Sequence, residues 1–417
     1  MRKIMAVAVS IGASLVALGV AYAGQGGQAA PAQGASAQTQ AAAPAVETAG
    51  QSKHFKNIQV LKDIPADQLI PSMQFISAAL GRDCSFCHVA GPGTQDDFAS
   101  DAKPNKKTAR EMMTMTMGIN QNSFAGQQRV TCATCHAGNN NPNPVAPVLD
   151  AARWQERVDA RERAQAAQSQ AAGGANNGQQ PGAGRPSPQA MQAAADAIIA
   201  KYVEAIGGEA ALEKITTREA KGTIATPHGD TSQFELQQKA PNKVLFTTTS
   251  ARGEMRIVYN GDQASVIMGG RSNPIHGFDL EALKLDANFS RNYNLKPQYT
   301  RMQSPPFPQK IDGKDVKMVR GILPNNEGQE TLYFDAQSGL LVRRLTVLRT
   351  ALGGLPQQYD YSDYREVDGV KVPFVTKISN AENIQTRTIT ELKFNTPIDD
   401  RVFTAPAAAT GAPSGRE

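Results

Sequence analysis

Two five-residue clusters dominate the chemistry that this 417-residue chain can do: Cys84-Ser85-Phe86-Cys87-His88 and Cys132-Ala133-Thr134-Cys135-His136. Two cysteines separated by two residues suit thioether bonds to the two vinyl groups of one haem. A histidine directly after them then reaches the iron from the proximal side. The four cysteines of the chain all lie in these clusters, so none is left for a structural disulfide. A zinc ribbon or a thiol-redox pair would use the same thiols. Neither explains why a histidine follows each pair when the chain has only five histidines. The expectation is therefore two c-type haems. Cys84, Cys87, Cys132 and Cys135 would attach them, and His88 and His136 would be the proximal iron ligands.

The sixth iron position calls for a second donor, and a thioether there raises the iron's potential where a second histidine lowers it. Met73 is the methionine near the first motif, eleven residues before Cys84. Met112, Met113, Met115 and Met117 precede the second motif, with Met115 seventeen residues before Cys132 and Met112 on its face as the fallback. The plainer role for all of them is packing, since methionine fills irregular gaps. His54 is expected to be exposed, as are His228 and His276. No distal histidine, acid or arginine pattern supports peroxidase chemistry, and no Ser/His/Asp arrangement is present, so an electron carrier rather than an enzyme is expected.

The net charge of +5, with 19% charged residues and no long basic run, excludes nucleic acid as an expected partner. Lys103, Lys106, Lys107 and Arg110 gather positive charge at one helix start. They would pair with haem propionates or steer a redox partner.

The elements that must position these groups divide the chain into a multidomain protein. Residues 1–23, a short basic start, an apolar run and Ala21-Tyr22-Ala23, read as a secretory signal, with an uncleaved anchor as the alternative. Residues 24–52 read as a disordered tether rich in Ala, Gln and Pro. Residues 53–150 would form a mainly helical dihaem cytochrome c domain. In it one helix opens at Pro65 or Pro71 and stops at Gly81, and another runs from about Pro104 to Asn120. Residues 151–189 would be a polar helix and flexible linker. Residues 190–409 would be an α+β domain: an amphipathic helix over 190–206, a second near 280–285, and a large curved antiparallel sheet of about ten strands joined by short turns. Residues 410–417 are a tail.

Phe55-Lys-Asn-Ile58, Leu61-Lys-Asp-Ile-Pro65, the run Met73 to His88, and Val130 to His136 resemble the photosynthetic reaction centre cytochrome c subunit family. The resemblance covers about 53–140 and implies Met73 with His88, and Met115 with His136, as axial pairs. It departs from the family in having two motifs rather than four haems. The helix-plus-sheet pattern that follows is weakly similar to periplasmic lipoprotein-carrier-like half-barrels. The implied function is electron transfer through two His/Met haems in the periplasm, with redox proteins of the cell envelope as partners and membrane association left open. The alternative is a periplasmic protein that binds a hydrophobic ligand or senses redox state or a gas, with the half-barrel as its working part.

Overall fold

The computed structural model describes residues 47–90, 97–142, 186–324 and 328–405, with isolated positions between 144 and 161. The expected signal and most of the expected tether, linker and tail lie outside the described residues. Within them, no helix is long and apolar enough to cross a membrane.

The first unit begins earlier than expected. Glu47 to Ser52 are not tether: Ala49 donates to the Ile64 carbonyl and Gly50 to the Lys62 carbonyl, both at 2.8 Å. Ala49 is wholly buried in a cluster with Leu61, Leu69 and Phe75. Composition marks the segment as low-complexity, but a small side chain is what this packing site needs.

After Pro65, a 3-10 turn over Ala66–Gln68 leads into helix α1, Leu69–Leu80. Gly81 ends it in the left-handed region at φ 62°, as a glycine can at low cost. Helix α2 spans Pro104–Phe124 with proline in its first turn, and the short helix α3 spans Cys132–His136. Thr134 Oγ1 accepts from the Thr131 N–H at 3.0 Å, which fixes the start of α3.

Helix α3 is tied to the end of α1: the Gly138 N–H donates to the Ala79 carbonyl at 2.9 Å. A Cβ on Gly81 would stand 2.2 Å from the Gly138 oxygen. Gly81→Ala therefore combines a left-handed backbone with a backbone clash, and we expect it to cost about 2–3 kcal/mol. Thermal unfolding of the purified protein should show the drop, and an unchanged Tm would contradict this account of the junction.

The second unit opens with α4, Pro188–Ala205, capped by Ser187, whose Oγ accepts from the Ala190 N–H at 3.1 Å. The short helix α5, Glu209–Leu212, follows. A sheet of 14 strands comes next, interrupted once by helix α6, Gly277–Ala287. In chain order the strands are β1 Thr217–Ala225, β2 Thr231–Lys239, β3 Lys243–Ser250, β4 Gly253–Tyr259, β5 Ala264–Met268 and β6 Arg271–Ile275. After α6 come β7 Arg301–Gln303, β8 Gln309–Ile311, β9 Lys314–Ile322, β10 Gly328–Asp335, β11 Leu341–Arg349, β12 Gly354–Val367, β13 Val370–Asn380 and β14 Ile384–Phe394.

Every pairing is antiparallel, in the order β6-β5-β4-β3-β2-β1-β14-β13-β12-β11-β10-β9-β7, with β8 on β9. Two hairpin meanders thus meet where β1 pairs with β14. Helices α4 and α6 lie on one face, where Ile199, Tyr202, Phe278 and Ala282 pack with Leu332, Phe334 and Leu348. The fold class expected from periodicity is therefore the one found.

The units pack on each other. Leu352 in the β11–β12 turn and Leu355 at the start of β12 join the cluster around Phe75 of α1. A Cβ on Gly353 would lie 2.3 Å from the Phe75 ring. Gln128 Nε2 donates to the Ala351 carbonyl at 2.7 Å.

Candidate haem-binding site

Two helix faces build the first site. Met73, Ile76, Ser77 and Leu80 of α1 and Lys106, Ala109, Arg110 and Met113 of α2 repeat the spacing of one helical face. They line a cavity of about 600 Å3 that also includes Cys84, Cys87 and His88. Phe55, Ile58 and Leu61 supply a further apolar wall. Met73 and His88 line the same cavity. His54 stands at the same cavity, yet exposed as expected.

The imidazole of His88 is fixed by its Nδ1, which lies 2.9 Å from the Phe98 carbonyl. Donation from Nδ1 leaves the Nε2 lone pair free for a metal, as metal-binding histidines require. His136 repeats the arrangement, with Nδ1 3.0 Å from the Asn139 carbonyl. Burial lowers the His88 pKa against the opposing hydrogen bond to Phe98, helped by Lys106, Arg110 and Lys103, which favours the uncharged ring. Burial also pushes the thiols of Cys84, Cys87 and Cys132 up, and no disulfide joins the four cysteines. Among the described residues no group of three or more His, Cys, Asp or Glu could hold a metal ion together.

A c-type haem fits these residues. Two thiols, an imidazole whose Nδ1 is bonded to a carbonyl, a thioether and an apolar wall share one cavity, and Arg82, Lys106 and Arg110 supply charge at it.

Three members of the basic cluster, Lys103, Lys106 and Arg110, bond to the segments around the first motif. Lys106 is buried, and its ammonium donates to the carbonyls of Phe98, Ala99 and Ser100 at 3.0, 2.9 and 2.9 Å. It also pairs with Asp101 at 3.1 Å, as does Arg110 at 3.0 Å. Arg110, with Asn57 and Lys106, holds the Asp101 carboxyl well below the usual range. Lys103 donates to the Ser85 carbonyl inside the first motif. These side chains hold the loop that orients His88, because a loop of unpaired carbonyls needs cationic donors.

We expect Lys106→Met to lower the midpoint potential of the first site by about 40 mV, equivalent to about 1 kcal/mol for one electron. Loss of a nearby positive charge favours the oxidised iron. An unchanged midpoint in a potentiometric titration would show that this ammonium is not felt.

The second site is held by Asn120. Its Nδ2 donates to the Val130 carbonyl at 2.6 Å, and its Oδ1 accepts from the N–H groups of Arg129 and Val130 at 2.9 Å. That clamp joins α2 to the segment entering Cys132. Met113 points inward to the first cavity and is 8% exposed, whereas Met112 is 38% and Met115 47% exposed on another flank of α2 with Ile119. The methionines that the sequence sets side by side thus serve different faces.

Phe98, Asn139 and Asn120 were not legible as site residues. The first two act through backbone carbonyls, which leave no mark on residue type. Asn120 gives only a weak signal, as an amide near a helix end.

Residues 19–178 match the family of the photosynthetic reaction centre cytochrome C subunit. The chain is 37% identical over 93 residues to cytochrome c-554 of Chloroflexus aurantiacus, covering 21% of each chain. It is 30% identical over 105 residues to the photosynthetic reaction center cytochrome c subunit of Thermochromatium tepidum (24% of this chain, 25% of that one). For the subunit of Roseobacter denitrificans the figures are 32% over 114 residues, 24% and 30%. The chain therefore spans less than a third of the length of these relatives.

The second unit is similar in fold to a LolA superfamily protein from Nitrosomonas europaea, at 16% identity and a TM-score of 0.35, over 51% of this chain and 97% of that one. A DUF1329 family protein from Desulfovibrio piger gives 12%, 0.36, 50% and 97%.

Proposed function

From the match of residues 19–178 to the photosynthetic reaction centre cytochrome C subunit family, we propose that this protein is an exported dihaem electron carrier. Cys84 and Cys87 would hold one haem and Cys132 and Cys135 the other. His88 with Met73, and His136 with Met115, would bind the two irons, Met112 being the alternative to Met115. A covalently held haem supplies a one-electron iron centre.

The protein's own residues do the rest. The Phe98 and Asn139 carbonyls keep Nε2 of each histidine aimed outward and its ring from rotating. The apolar wall of Phe55, Ile58 and Leu61 excludes water from the first site, which limits reorganisation as charge changes. The Gly138 N–H bond to the Ala79 carbonyl ties the turn after the second motif to the end of α1, the helix that leads into the first motif. The observation that carries the reading is the repeated geometry: two adjacent thiol pairs, each followed by an imidazole whose Nδ1 is tied to a carbonyl.

Redox proteins of the cell envelope are the partners this reading implies. The test is intact mass of protein made in a host able to attach c-type haem, with a carbon monoxide difference spectrum of the reduced form. Two added haem masses and no carbon monoxide response are expected. One haem, or a carbon monoxide adduct at either site, would move the function to sensing or to a different ligand set.

A further inference from the structure

The covered face of the sheet encloses a separate cavity of about 190 Å3, to which neither motif contributes. Its walls come from β1 to β4 and β12 to β14, closed by the end of α6 and the segment after it. By volume it has room for about a dozen water molecules. Much of the lining is apolar, with Phe234, Phe246, Leu236, Ile257 and Ile378 among it.

Three guanidinium groups face this apolar space: Arg218 from β1, Arg387 from β14, and Arg291. Arg291 is 8% exposed. Its Nη2 donates to Glu330 at 2.8 Å and its Nε lies 3.5 Å from Asp286, but its Nη1 has no hydrogen-bond partner. Nε of Arg218 and Nε of Arg387 are likewise buried without one. Arg387 lies over the Phe246 and Phe234 rings at 4.7 and 5.6 Å, and Arg218 over Phe289 at 5.9 Å.

The charges do not balance. Arg218, Arg291, Arg344 and Arg387 stand against Glu330 and Asp286, so four positive and two negative groups leave +2. Glu330 is bound by Arg291 and Arg344, and Asp286 already accepts from Tyr359 at 3.2 Å beside Arg291. Burial pulls Arg218 and Arg387 below the ordinary arginine range, the mark of cations kept from water without full compensation. Buried donors and charges left in this state are costly unless something pairs them.

We propose that this cavity binds an anionic amphiphile of medium chain length. Its acid headgroup is taken by Arg218, Arg387 and Nη1 of Arg291, and its chain lies against the phenylalanine wall. Guanidinium groups suit carboxylate and phosphate alike, so either headgroup satisfies the chemistry. The proposal is independent of the haem reading, since it uses none of the same residues.

The test is calorimetric titration of the full-length haem-loaded protein with decanoate, decyl phosphate, decanol and inorganic phosphate. At least one of the two acids should bind about tenfold or more tighter than decanol, and inorganic phosphate should not bind measurably. The stronger of the two acids identifies the headgroup. Arg218→Gln and Arg387→Gln should each weaken the acid about tenfold and leave decanol unchanged. Equal affinity for acid and alcohol, tight binding of phosphate alone, or acid binding indifferent to both substitutions would each overturn the proposal. Should a glutamine variant fail to fold, Arg387→Lys and the headgroup series on the unaltered protein still decide it.

Discussion

Met73→His is expected to lower the midpoint potential of the first site by on the order of 0.2 V, within the range that axial ligands span. A thioether favours the reduced iron, and an imidazole donates more strongly and favours the oxidised one. Met73 stands on the same face of α1 as Ile76, Ser77 and Leu80, at the cavity that holds His88. It is partly exposed, so the exchange should cost little stability. Met113 also lines this cavity but is buried among Leu61, Leu69 and Phe75, which makes Met113→Leu the matched control. That control should move the potential by far less. A Met73→His protein with an unaltered midpoint would remove Met73 from the iron.

Glu330→Ala is expected to destabilise the sheet domain by about 3–5 kcal/mol, because it strands buried cations. Glu330 and Arg344 are both fully buried. The carboxylate receives Arg291 at 2.8 Å, Arg344 at 3.1 Å, the Thr346 hydroxyl at 2.7 Å and the Tyr299 hydroxyl. Burial alone would raise its pKa, but Arg291 and Arg344 overcome this and bring it down from 4.5 to about 2.

The sign for acid follows. A carboxylate with a depressed folded pKa contributes stability that is complete above its unfolded value, and that stability drains away as pH falls from about 4.5 towards 2. Denaturant unfolding at pH 7 and pH 3 should show the wild-type protein losing stability in acid and the alanine variant losing less. A Glu330→Ala protein as stable as wild type at pH 7 would contradict the account.

Much of this architecture was readable because local chemistry and global fold agree. Asp368 and Gly369 both adopt positive φ, 50° and 79°, in the hairpin where an Asp-Gly pair leads one to expect them. Asn260 accepts from the N–H groups of Asp262 and Gln263 in the turn its sequence announces. Strand β1 was not foreseen. Its Thr-Arg-Glu-Ala-Lys-Gly run lacks alternation, and Gly222 sits at a register shift where a Cβ would be 2.0 Å from the Thr388 oxygen. Strand β6 contains Asn and Pro, residues that a sheet edge tolerates and a periodicity reading rejects.

At the site, thiols and imidazoles announce themselves by type and spacing. Lys106 did not: as one of four clustered cations it reads as surface charge, and only the fold shows it buried beneath three carbonyls. The arginine-lined cavity was equally hidden, since Arg218 and Arg387 come together only when β1 meets β14 and Arg291 joins them from the segment after α6.

The most direct test of the central claim is a potentiometric titration of the haem-loaded protein, followed optically and in the near infrared. The account predicts two one-electron waves, both at positive potential, with the weak thioether-to-iron band of His/Met ligation in the oxidised form. A single wave, or a strongly negative potential at either site, would contradict it.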